Sequence, residues 1–110
     1  MELFEFTKQP IPTRKSSEAS GLQRISGCRY KSNGTSNPRF FYLKNGYHKI
    51  EVFQGKDFQS TAVGENIFPD LIFMKSKFTD QGYYQCLLQI NGNEDVLSEA
   101  VDIQFVGKNT

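Results

Sequence analysis

Along this chain, apolar and β-branched residues come in short runs that Gly, Asn, Pro or Asp interrupts roughly every eight to twelve residues, the rhythm of an all-β sandwich or barrel. No stretch carries apolar positions at helical spacing over three turns. Leu3–Thr7 reads as a first strand, ended by Pro10 and Pro12, and Arg14–Ser20 as a polar edge or loop. Leu22–Tyr30 reads as a strand that Gly27 interrupts, followed by a Ser-, Asn- and Gly-rich turn at Lys31–Asn37. The clearest strand is Phe40–Lys44, entered through Pro38 and left through Asn45-Gly46, a strong hairpin signal. His48–Phe53 alternates Lys49 and Glu51 against Ile50 and Val52, as a half-buried strand does. Gln54–Asn66 is weakly patterned, with a short strand expected near Phe58–Thr61. Leu71–Met74, Tyr83–Ile90 and Ser98–Phe105 complete the set, so seven to nine strands in two packed antiparallel sheets are expected.

A chain of 110 residues is long enough for one core and too short for two, so residues 1–110 are read as one domain. With 37% hydrophobic residues, ten Phe and five Tyr, it has the material for that core. The net charge of +1 is spread evenly, which offers no basic face to nucleic acid or to an anionic membrane. No apolar stretch approaches the length of a membrane span. The first residues lack the segments of a secretory leader, which alone reads as cytosolic; the abrupt ends at Met1 and Thr110 instead favour a piece cut from a longer protein.

Cys28 and Cys86 stand 58 positions apart. Together with the lone His48 they fall short of a metal-ligand set, and no motif supplies a base for a nucleophilic thiol. A structural disulfide is their simplest use, and the chain-entropy model gives such a bond about 4 kcal/mol. No catalytic or cofactor constellation is legible, so no enzyme activity and no cofactor are expected. Glu94-Asp95 has too few ligands for calcium. His48 reads as an edge residue, and Arg14 and Lys15 as a solvated edge that discourages aggregation.

The segment Asp80-Gln81-Gly82-Tyr83-Tyr84-Gln85-Cys86 resembles the D-x-G-x-Y-x-C signature of the immunoglobulin superfamily. Leu71 and Phe73 stand upstream where that family places inward apolar residues, and Pro38-x-Phe40-x-Tyr42-x-Lys44-Asn45-Gly46 resembles its P-x-V-x-W-x-K-N-G strand. The resemblance covers about Pro10 to Val106, the expected core. It implies an immunoglobulin-like β-sandwich in which Asp80 and Gly82 shape a tight corner, Tyr84 forms a tyrosine corner, and Cys86 meets Cys28 between the sheets. Three departures mark a divergent member. Tyr42 replaces the expected Trp and brings a hydroxyl that needs a partner. Ser26 and Arg24 fall where apolar residues are expected before Cys28, and a bulge at Ser26-Gly27 would restore the inward phase. Ser76 stands at a usually aliphatic position. The cysteine spacing and the extra strand at His48–Phe53 fit an intermediate-type domain best, and a variable-type one second.

If Phe40 and Tyr42 point inward with Tyr84, Cys86 and Leu88, period-two alternation turns Arg39, Phe41, Leu43, Tyr83, Gln85, Leu87 and Gln89 outward. Four of these seven are apolar or aromatic, on a face expected to be mostly polar. That patch points to a covered surface, and in the family this sheet is a frequent binding surface for other immunoglobulin-type domains. The alternative is the opposite phase, with Phe41 and Leu43 in the core. Asn33-Gly34-Thr35 is a glycosylation sequon in an exposed loop. The loops Lys31–Asn37 and Asn91–Leu97 are expected at one end of the sandwich. The expected function is protein binding, to another immunoglobulin-like ectodomain or to itself, in the extracellular part of a plasma-membrane receptor or adhesion molecule or in a secreted protein. The alternative is an intracellular structural domain of a titin-like array, with both thiols reduced.

Overall fold

A computed structural model describes residues 3–12, 23–34, 36–54 and 64–104. Along the chain come β1 (Phe4–Lys8), β2 (Ile11–Pro12), β3 (Gln23–Ser26), β4 (Arg29–Ser32), β5 (Arg39–Lys44) and β6 (His48–Val52). After these follow β7 (Glu65–Ile67), β8 (Leu71–Phe73), a 3₁₀ turn at Phe78–Asp80, β9 (Gly82–Gln89), β10 (Val96–Leu97) and β11 (Val101–Ile103). All pairings are antiparallel. One layer has the order β10-β9-β5-β6, with β11 also on β9. The other is hydrogen-bonded as two three-stranded pieces, β1-β4-β7 and β2-β3-β8. The protein is an all-β sandwich joined by a Cys28–Cys86 disulfide, with Cα atoms 6.7 Å apart.

The second layer falls into two pieces because its three strands break at one level. Gln9-Pro10 separates β1 from β2, Gly27-Cys28 separates β3 from β4, and Phe68-Pro69-Asp70 separates β7 from β8. Proline has no N–H for a ladder, and Gly27 sits at φ +95°, which L side chains avoid. The Phe68 N–H donates to the Cys28 carbonyl at 3.0 Å and stitches the break. These interruptions explain why the described residues hold eleven strand segments where seven to nine strands are expected. The expected strand Leu22–Tyr30 thus becomes two. Ile25, Cys28 and Tyr30 all face inward, so Ser26-Gly27 is the extra residue that keeps the phase.

Within the expected strand Ser98–Phe105 the described residues pair at Val101–Ile103, and Val96–Leu97, read as the end of a loop, forms a short strand of its own on β9. β7 was not foreseen, since Gln54–Asn66 lacks alternation. The expected strand near Phe58–Thr61, the segment Arg14–Ser20 and Thr35 of the sequon lie outside the described residues.

Phe68 centres the core. It is fully buried, edge-on to Phe40 at 5.2 Å and to Tyr42 at 5.4 Å, with Phe6 at 5.9 Å. Burying one such ring contributes about 1.5–3 kcal/mol. Phe4 and Phe6, ahead of the core span expected from Pro10 onward, pack against the same cluster, so the packed body starts earlier.

Candidate protein-binding face

The corner that sets β9 in place is built from Asp80, Gly82 and Tyr84. The Tyr84 hydroxyl donates to the Asp80 carbonyl four residues upstream. The Asp80 carboxylate accepts the Lys77 N–H at 2.8 Å and closes the 3₁₀ turn. Gly82 has φ +151°, and a Cβ there would stand 2.7 Å from Asn45 Oδ1. That oxygen accepts the Tyr83 N–H at 3.0 Å, while the Asn45 N–H donates to the Tyr83 carbonyl at 2.7 Å. Asn45 and Gly46 both have positive φ, as a type I′ turn requires. The hairpin tip therefore docks on the start of β9 and fixes β5 against it.

Inside the core, the Tyr42 hydroxyl finds its partner in the Pro69 carbonyl at 2.7 Å. Burial, with the nearby Asp70 carboxylate adding, pushes the Tyr42 phenol far above its ordinary pKa. Burial likewise pushes Tyr84 up to about 12, the Asp80 charge assisting.

With β9 and β5 set in this way, the alternation is the one expected. Tyr42, Tyr84, Cys86 and Leu88 enter the main core. On the opposite face, Arg39 lies across from Gln89, Phe41 from Leu87, and Leu43 from Gln85, with Leu97 beside Leu87 on β10. Phe41, Leu43 and Leu87 form a second apolar cluster, separate from the core.

The open patch expected there needs correcting, because these three residues are only 7%, 9% and 2% exposed. Over Phe41 the cover comes from Lys49 of β6 and from Arg39. The Arg39 guanidinium lies 5.1 Å from the Phe41 ring centroid, and Lys49 Nζ lies 5.5 Å from it. Glu51 accepts two hydrogen bonds from Arg39, at 2.9 and 3.0 Å. That hydrogen bonding holds the Glu51 carboxyl below its usual range and raises Arg39. Lys49 reaches Asp95 at 3.8 Å, and Gln85 Nε2 donates to the Ser98 carbonyl at 2.9 Å.

What stays open is Tyr83 at 58%, Leu97 at 46%, and the outer edge of Arg39. Lys49, Glu51 and Leu97 were not read as face residues. The Lys49/Glu51 alternation carried the signal, but the register of β6 on β5 was needed to use it.

The two loops meet as expected: Asn37, Asn91 and Gly92 line one shallow hollow with Arg39 and Gln89, at the end of this face. Asn33 is exposed, and its Oδ1 accepts the Leu3 N–H at 2.8 Å. The side-chain nitrogen, the atom a glycan would occupy, is on the other branch of the amide. Among the described residues no group of three His, Cys, Asp or Glu is placed to hold a metal ion. No helix among them is long and apolar enough to cross a membrane. A disulfide of this kind belongs to an oxidising environment. No family model matches the chain, and no curated protein is similar enough to it in sequence to count as a relative.

Proposed function

We propose that this chain is a divergent immunoglobulin-superfamily domain from the extracellular part of a cell-surface or secreted protein. In this reading it binds another protein through the outer face of β5, β6, β9 and β10. The observation that carries the proposal is the second apolar cluster. Phe41, Leu43 and Leu87 cluster apart from the main core, on the sheet face turned away from it, beside Arg39, Lys49 and Glu51. Tyr and Arg around an apolar centre is the composition of interface hot spots, and the covering side chains are long enough to swing aside.

The family reading is supported by the inter-sheet disulfide, with Tyr42 opposite Cys86 on the neighbouring strand, and by the Tyr84–Asp80 corner. The disulfide also favours an extracellular domain over a cytosolic array, whose thiols would be reduced.

Because Phe41 and Leu87 are buried, charge placed on them would unsettle the fold, so the test uses the open residues. A multimerised form of the chain is screened against a panel of cell-surface ectodomains. Binding should be lost on combining Tyr83→Ala with Leu97→Ser, with the thermal midpoint nearly unchanged. A panel without a binder, or undiminished binding by the double variant, would remove the proposal.

A further inference from the structure

The rim of the same sheet carries an aromatic residue at each end and opposite charges on either side of a central Ile50. β6 is an end strand: among the described residues it pairs only with β5. From Tyr47 to Phe53 the order is aromatic, His, Lys, Ile, Glu, Val, aromatic. Tyr47 and Phe53 flank the strand and, at 79% and 76%, are the most exposed large apolar side chains among the described residues. Ile50 sits at the centre, packed against the core and only partly buried. An exposed strand edge invites pairing, and folded proteins commonly blunt it with a lysine. Lys49 alone would serve that purpose. A glutamate two residues on, equidistant from Ile50, changes what the edge can accept.

We propose that β6 pairs antiparallel with β6 of a second copy of this chain, on a two-fold axis through Ile50. In that register Lys49 lies opposite the second copy's Glu51, and Glu51 opposite its Lys49, each joining the ion pair its side chain already makes within its own chain, Lys49 with Asp95 and Glu51 with Arg39. Tyr47 meets the second copy's Phe53, and the reverse contact repeats across the axis. Opposite charges and aromatic pairs directly across strands are the contacts that stabilise a ladder. The register also pairs odd positions with odd and even with even. Whichever set turns its N–H and C=O away from β5 therefore meets its like, and the hydrogen bonding closes. A two-fold axis along the sheet normal keeps both outer faces on one side, so the two four-stranded orders run together as one sheet. The interface is self-complementary, as two-fold dimers require. It pairs strand edges and shares Lys49 and Glu51 with the face, but needs neither Tyr83 nor Leu97, and so does not depend on the face binding a partner.

The experiment is sedimentation of the 110-residue chain and two charge variants, each first checked for its disulfide and thermal midpoint. The wild type should dimerise reversibly. Lys49→Glu places four carboxylates at the seam and Glu51→Lys four ammonium groups, and each should weaken dimerisation by roughly tenfold or more. Mixed together, the two variants regain both opposite-charge pairs and should form a heterodimer at least as tight as the wild-type dimer. Loss of fold in either single variant cannot produce that recovery. A wild type that stays monomeric at millimolar concentration, dimers that persist in both variants alone, or a mixture no tighter than its components would each overturn the pairing. Tyr83 and Leu97 lie off the seam, so their substitution leaves this dimer intact and separates its failure from that of the binding face.

Discussion

Two buried tyrosines do different things with the same hydroxyl. Tyr42 is fully buried in the core against Phe68, and its proton goes to the Pro69 carbonyl, beside the break in the opposite layer. Tyr84 returns its proton to its own strand entry at Asp80. In Tyr42→Phe the ring still fills its space against Phe68 but the buried carbonyl loses its donor, so the cost should be about 1–2 kcal/mol. Chemical denaturation should register it as a lower midpoint with an unchanged slope. Tyr84→Phe should cost a similar amount. Gly82 is constrained differently. An added methyl would meet Asn45 Oδ1 at 2.7 Å in a backbone region that disfavours side chains. Gly82→Ala should therefore destabilise by about 1–3 kcal/mol. The extra mark of that variant is faster amide exchange at Tyr83, whose N–H loses Asn45 when the hairpin tip is pushed away. Normal protection at Tyr83 would show that the tip moves without cost.

At the scale of elements, the break between β3 and β4 was readable because arithmetic demanded it. Ile25 and Cys28 cannot both face inward on a regular strand, and the glycine between them marks where the extra residue goes. At Gly27 a methyl would find ordinary contacts, with Ile11 Cδ1 at 3.5 Å, so Gly27→Ala should suffer from backbone strain alone. That is about 1–2 kcal/mol, read as a lower melting temperature. The matching breaks at Pro10 and Pro69 were not readable as one feature, since three distant segments must come side by side before their prolines line up. Phe68 was missed for the same reason: a lone aromatic before a proline, in a stretch without alternation, gives no periodic signal for a core residue. The outer face was half legible. Alternation placed Phe41, Leu43 and Leu87 on it, but whether they stay open depends on which neighbours fold over them. Only the pairing of β5 with β6 brings Lys49 and Glu51 into that row.

The whole molecule is held by a cross-link and by aromatic burial, and each fails under its own conditions. Replacing both cysteines by alanine should remove about 4 kcal/mol, most of it by freeing the unfolded chain. Alkali should act through the tyrosines. Burial raises Tyr30 from 10.0 to about 12, Tyr84 reaches about 12, and Tyr42 lies higher still. Above pH 10 the unfolded chain sheds these phenolic protons while the folded one keeps them. The unfolded state then binds fewer protons, and stability falls as pH rises. Below pH 10 both states hold the protons, so these groups leave stability flat there. The melting temperature should thus turn downward above about pH 10, and tyrosinate absorbance from the buried rings should appear in one cooperative step with the loss of β-sheet circular dichroism. Tyr30→Phe removes one of the titrating protons and should make the decline shallower. If the buried phenols ionise while the sheet signal stays intact, the core is open enough to admit hydroxide, and the packing of Tyr30, Tyr42 and Tyr84 about the disulfide is looser than these contacts require.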